Sequence, residues 1–191
     1  MPLPLEDLFS DIVGKAQRGL NIADSELATR AGVDPARIRA IRVGDSDEKV
    51  ARLIAPLLGL NAEALVASGK KSWQPCPVEK LAGFADFTTP FEDLLVNAYV
   101  AWDPESREAV AFDTGSDCAG MLDLLNTEHL SLKLILLTHT HGDHIYDLDR
   151  LKSKTGAPVF VSAREPLDGT QTFEAGKIFQ VGELPIESRL T

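Results

Sequence analysis

The chain has 191 residues, 44% hydrophobic and 25% charged, with a formal net charge of −10. That composition belongs to an ordinary globular protein of one or two small domains and excludes fibrous or wholly disordered classes. No apolar run approaches the ~20 residues needed to cross a bilayer, and the opening Met1-Pro2-Leu3-Pro4-Leu5-Glu6-Asp7 lacks a basic start followed by an apolar core. The expectation is therefore a cytoplasmic protein with no membrane partner. Its two cysteines, Cys76 and Cys118, are too few for a disulfide framework and read as reduced thiols. Of 19 Lys+Arg and 29 Asp+Glu, 9 and 10 fall in residues 1–70, leaving 10 and 19 in the remainder. The bulk field would not steer such a chain to nucleic acid, so any DNA contact has to come from a local patch.

Residues 1–69 read as an all-α unit. Leu5, Leu8, Phe9, Ile12, Val13 and Ala16 recur at helical spacing and predict a first amphipathic helix ending near Gly19. Residues 24–42 then supply a short helix, a turn at Gly32, and a second short helix with Asp34 as cap and Pro35 at its first position. Two further helices are predicted over 47–58 and 61–67, with Val50, Leu53, Ile54, Leu57 and Leu60 facing inward. Glu26-Leu27-Ala28 with Ala31-Gly32-Val33, and later Leu58-Gly59-Leu60 with Leu65, resemble the Cro/C1-type (XRE-like) helix-turn-helix domain. That resemblance implies a second short helix entering the major groove and presenting Arg37, Arg39 and Arg42 to DNA. Asp34, Asp45, Asp47 and Glu48 lie nearby, so a docking or homo-oligomerising bundle remains the alternative. Residues 70–79, polar and proline-interrupted, read as a linker.

Residues 80–191 alternate strand and helix patterns. Leu94 to Trp102 and Ala109 to Phe112 flank the turn Asp103–Arg107 and predict a hairpin, closed by Asp113-Thr114-Gly115. A crossover helix over 116–126 leads to the apolar run Leu134–Leu137, a strand buried on both faces. A helix over 146–154 leads to the strand Val159–Val161, and short strands follow at 171–173, 177–181 and 184–190.

The Leu134 run empties into Thr138-His139-Thr140-His141-Gly142-Asp143-His144, which holds three of the chain's four histidines. Imidazole and carboxylate suit a zinc-, iron- or manganese-like ion, and His139 and His141 can share a cavity across a turn that Gly142 keeps sharp. Asp143 and His144 leave in other directions and are better placed for a second ion. His129 stands alone and reads as incidental.

This T-H-x-H-x-D-H stretch resembles the signature of metallo-β-lactamase-fold hydrolases, in the glyoxalase II-like flavour. The resemblance implies one or two divalent ions, most naturally zinc with iron or manganese as alternatives. His139 and His141 would bind one and Asp143 and His144 the other, with a metal-bound hydroxide as nucleophile and Asp143 as the catalytic group holding it. It implies a small thioester or ester substrate, Thr138 and Gly142 shaping the loop, and Asp113 bracing it from behind; Asp113 reads equally as a cap for the helix over 116–126. The fold class expected is α+β: a helix-turn-helix bundle followed by the first αβ half of an αββα sandwich. No histidine follows His144, so the third ligand of either ion is not expected within these residues. A half-sandwich would leave one sheet face in water at ~25 cal/mol per Å², and the chain reads as a piece of a longer protein. The alternative is a transcriptional regulator whose second part senses a metal or metabolite; an iron dioxygenase or a nuclease on the same fold also stays open.

Overall fold

A computed structural model describes residues 5–76, 79–92 and 94–189. The chain divides into two compact units, residues 1–77 and 78–191.

The first unit is helical. Helix α1 (Phe9–Leu20) is closed at its start by the Asp11 carboxylate, which accepts the Leu8 N–H at 2.9 Å, and ends where Asn21 turns left-handed. Helices α2 (Asp24–Ala31) and α3 (Pro35–Arg42) are joined by a three-residue turn. Gly32 takes φ 66° there, and Asp34 caps α3 by accepting the Ala36 N–H at 2.7 Å. The single helix expected over 47–58 breaks into α4 (Glu48–Ile54) and a 3₁₀ turn at Pro56–Leu58, because Pro56 has no N–H to continue the ladder. Helix α5 (Ala62–Gly69) closes the bundle, capped by Asn61. Val13, Leu27, Ile38, Ile41 and Ile54 are fully buried at its centre.

The second unit is a sheet with helices on one face. Strands β1 (Phe84–Phe91), β2 (Leu94–Trp102), β3 (Glu108–Phe112), β4 (Ser131–Leu136), β5 (Val159–Ser162) and β6 (Gln171–Phe173) lie in that spatial order. The first three are antiparallel and the rest join β3 in parallel. No strand is predicted over residues 84–91; β1 forms there at the sheet edge, where a strand tolerates a proline such as Pro90. Helix α6 (Ala119–Thr127) starts three residues later than expected and crosses from β3 to β4. The expected helix over 146–154 is α8 (Leu148–Thr155), preceded by a separate turn of helix, α7 (Gly142–Ile145), inside the histidine loop.

One sheet face packs Ala98, Val100, Ala111, Ile135 and Val161 against Met121, Leu125, Leu148 and Leu151 of α6 and α8. On the other face, β7 (Ile178–Val181) and β8 (Leu184–Glu187) form a second, two-stranded sheet. The strand expected over 184–190 thus ends at Glu187; Leu190 lies outside the described residues. Phe179 and Val181 of this hairpin bury against Val110 and Leu136, and Phe179 meets Phe160 and Phe173 edge-on. The face expected to stand open is therefore partly covered by the chain itself. Carboxylates hold the hairpin's turn down: Glu108 accepts the Gly182 N–H at 2.9 Å and Asp103 the Glu183 N–H at 3.1 Å.

Candidate functional site

The histidine loop leaves the carboxyl end of β4, a strand buried between β3 and β5. Loops at that position combine a rigid base with access to solvent. Its base is tied to Asp113, which follows β3. The Asp113 N–H donates to the Leu136 carbonyl at 3.0 Å, and the buried Asp113 side chain accepts three hydrogen bonds. Thr138 donates its N–H at 2.8 Å and its hydroxyl at 2.6 Å, and Nδ1 of His144 lies at 2.9 Å. Asp113 has φ 58°, a left-handed conformation that is costly for most side chains and tolerated best by Asp and Asn. Its cap alternative is not what the hydrogen bonds display: the Ala119 N–H goes to Asp117 and the Cys118 N–H to Asp147.

This network assigns two tautomers. A carboxylate can only accept, so the single Thr138 hydroxyl proton goes to Asp113 and the Thr138 oxygen accepts from Nδ1 of His139, 3.0 Å away. His144 likewise spends its Nδ1 proton on Asp113. Nδ1 of each ring thus carries a proton, and in a neutral His139 ring the lone pair sits on Nε2. Burial, then the nearby His144 and His141, push the His139 imidazole below its usual pKa, which favours the neutral ring.

The loop gathers its donors on one side. The His139 ring lies 4.6 Å from the His141 ring, edge to face, and 4.0 Å from that of His144; Asp143 Oδ2 is 3.6 Å from Nε2 of His144. Neutral imidazoles beside a carboxylate are the right donor chemistry for zinc, iron or manganese. Their number is short: among the described residues no group of three or more His, Cys, Asp or Glu side chains is arranged to hold an ion. Gly142 opens α7, with open space where a Cβ would stand. His129 is a left-handed turn residue at the end of α6, away from the loop in the fold.

Two contributors lie outside the motif. The Thr114 N–H and hydroxyl both reach the His144 carbonyl, at 2.9 and 3.1 Å. Glu165, in the turn after β5, accepts the Thr140 N–H at 3.0 Å and lies 3.3 Å from its hydroxyl. Neither has a sequence signal, because both contacts are made by segments distant along the chain.

In the first unit, the three arginines expected at a DNA surface are placed differently from one another. Arg37 pairs with Asp47. Arg42 donates to Oε1 of the buried Gln17 at 3.2 Å and lies over Gly14. Arg39 is exposed. Among the described residues no helix is long and apolar enough to cross a membrane.

Residues 92–186 match the family model of the metallo-beta-lactamase superfamily. A hydroxyacylglutathione hydrolase of Albidiferax ferrireducens is 39% identical over 89 residues, 42% of this chain and 34% of that protein. One from Bdellovibrio bacteriovorus is 39% identical over 70 residues, 37% of this chain and 27% of that one. The crystal structure of ETHE1 from Myxococcus xanthus aligns with a TM-score of 0.47 at 23% identity, covering 54% of this chain and 46% of its own. The chain thus spans about a third of the length of the curated relatives it matches. The matched stretch lies in the second unit, and the partial relatives it resembles there include hydroxyacylglutathione hydrolases.

Proposed function

We propose that this chain is a metal-dependent hydrolase of small thioesters or esters, glyoxalase II-like, with its reaction at the loop after β4. The reading is supported above all by the Asp113 network, which engages Nδ1 of His144 directly and Nδ1 of His139 through Thr138, so that Nε2 is the nitrogen of each ring that the network does not use. A buried carboxylate that orients histidines through their other nitrogen is the arrangement expected behind a metal.

In this reading His139 and His141 hold one divalent ion, Asp143 and His144 contribute to a second, and water or further donors complete each shell. Zinc fits the donor set best, with iron and manganese as alternatives. When bound, the ion would polarise the substrate carbonyl and acidify a water toward neutrality. The chain's own residues do the rest. Asp143 accepts a hydrogen bond from the nucleophile and aligns it, Asp113 braces the loop, and Thr138 and Gly142 shape it.

The test is zinc stoichiometry and thioester hydrolysis measured together. His141→Ala should lose bound metal and activity in parallel. A variant that keeps the full metal complement, or a wild-type chain that binds none, refutes the proposal.

A further inference from the structure

The histidine loop is held at two places, and only one belongs to its motif. Asp113 ties down the base through Thr138 and His144. The tip, Thr140, sits between His139 and His141, and its polar groups face Glu165 from the turn after β5: the N–H donates to Oε2 at 3.0 Å and the hydroxyl lies 3.3 Å from the same oxygen. Glu165 is itself set by a hydrogen bond from its N–H to the Ser162 carbonyl at 3.0 Å, in the first turn beyond the strand that pairs with β4. Parallel neighbours β4 and β5 therefore launch the two loops side by side, which is why residues 25 apart meet.

We infer that Glu165 is a positioning residue for the His139–His141 pair, acting through the backbone of Thr140. The Thr140 N–H belongs to the peptide that joins it to His139, and Thr140 is joined to His141 by the next, so the orientation of Thr140 sets the angle between the two rings. A carboxylate accepting the Thr140 N–H fixes the rotation, and charge-assisted bonds of this kind are about twice as strong as neutral ones. Groups that orient ligands from outside the first shell typically change metal affinity 10–100-fold. The inference rests on the proposed metal reading for its consequence, and on the Thr140 contact alone for its geometry.

The experiment compares the full chain with Glu165→Ala and Glu165→Gln, the second keeping an oxygen able to accept the Thr140 N–H. Three quantities are read: Thr140 amide exchange by NMR, zinc affinity by calorimetry with zinc ion alone, and the thermal midpoint. Glu165→Ala should raise Thr140 exchange at least ~10-fold and weaken zinc ~10–100-fold. The midpoint should stay within a few degrees, and Glu165→Gln should recover most of both losses. Unchanged Thr140 exchange in Glu165→Ala overturns the inference, as does raised exchange with unchanged zinc affinity. If the wild-type chain binds no zinc, the metal reading fails by itself. The inference is then decided by whether Glu165→Ala, besides raising Thr140 exchange, moves the ring C–H resonances of His139 and His141; unmoved rings overturn it.

Discussion

Removing the Asp113 carboxylate should unfasten the histidine loop, at a cost that follows from its contacts. Asp113→Ala strands three donors, the Thr138 N–H, the Thr138 hydroxyl and Nδ1 of His144, at a site where Asp113 is 2% exposed. Hydrogen bonds to a charged acceptor contribute ~1.5–3 kcal/mol each, and the hydroxyl can turn to another partner, so two full losses and one partial loss amount to about 4–7 kcal/mol. Alanine adds strain of ~1 kcal/mol or more at φ 58°. For a unit of this size that is a fall of more than about 10 °C in the melting temperature. Asp113→Asn keeps one acceptor oxygen and tolerates the left-handed backbone, so it should lose roughly half as much. Hydrogen exchange of peptides from β3 and β4 under increasing urea isolates this unit from the helical one. An Asp113→Ala chain within ~1 kcal/mol of wild type would refute the reasoning.

The β7–β8 hairpin offers a second set of expectations. Gly182→Ala would drive a Cβ into the Asp103 carboxylate and the Ser106 hydroxyl at φ 53°, so urea unfolding should show a loss of about 2–4 kcal/mol. The Ser106 hydroxyl and the N–H groups of Glu105 and Glu183 hold the Asp103 carboxyl below its ordinary pKa, and the Gly182 N–H and Lys133 do so for Glu108. A depressed carboxyl stabilises the folded state above its unfolded pKa of ~4 and loses that contribution as pH falls through the folded value. Amide protection factors across residues 178–187, corrected for the intrinsic pH dependence of exchange, should accordingly fall on acidification below about pH 4, and less steeply in Asp103→Asn. Cys118 is fully buried and pushed up to about 12, by burial first and by Asp147 next, whereas Cys76 is exposed. A thiol reagent at neutral pH should label one cysteine in the folded chain and two after denaturation. In the helical unit, Gln17→Ala removes bonds to Ile22, Asp24 and Arg42 from a buried site, and its thermal midpoint should drop by the equivalent of ~1–3 kcal/mol.

What could be read from sequence was whatever local chemistry dictates. Asp34 and Pro35 start α3, Gly32 stops α2, and unbroken apolar runs predict the buried strands, because caps, glycine φ values and periodicity act within a few residues. The histidine cluster declared its donor types for the same reason. Errors arose where a distant partner overrode the local signal. Strand β1 lies unpredicted at the sheet edge, where Pro90 is tolerated, and β7–β8 form a second sheet whose Phe179 and Val181 bury against Val110 and Leu136 on the far face of the first.

The sequence by itself therefore determined most of the elements, the two-part division of character between helical and mixed halves, and the kind of atoms at the loop after β4. Only the tertiary structure decided how those atoms are held: that Asp113 bonds Thr138 and His144 together, and that Glu165 meets Thr140. These are contacts between residues 25 or more positions apart. No local preference encodes them, since they exist only once the parallel pairing of β3, β4 and β5 has brought three chain segments to one end of the sheet.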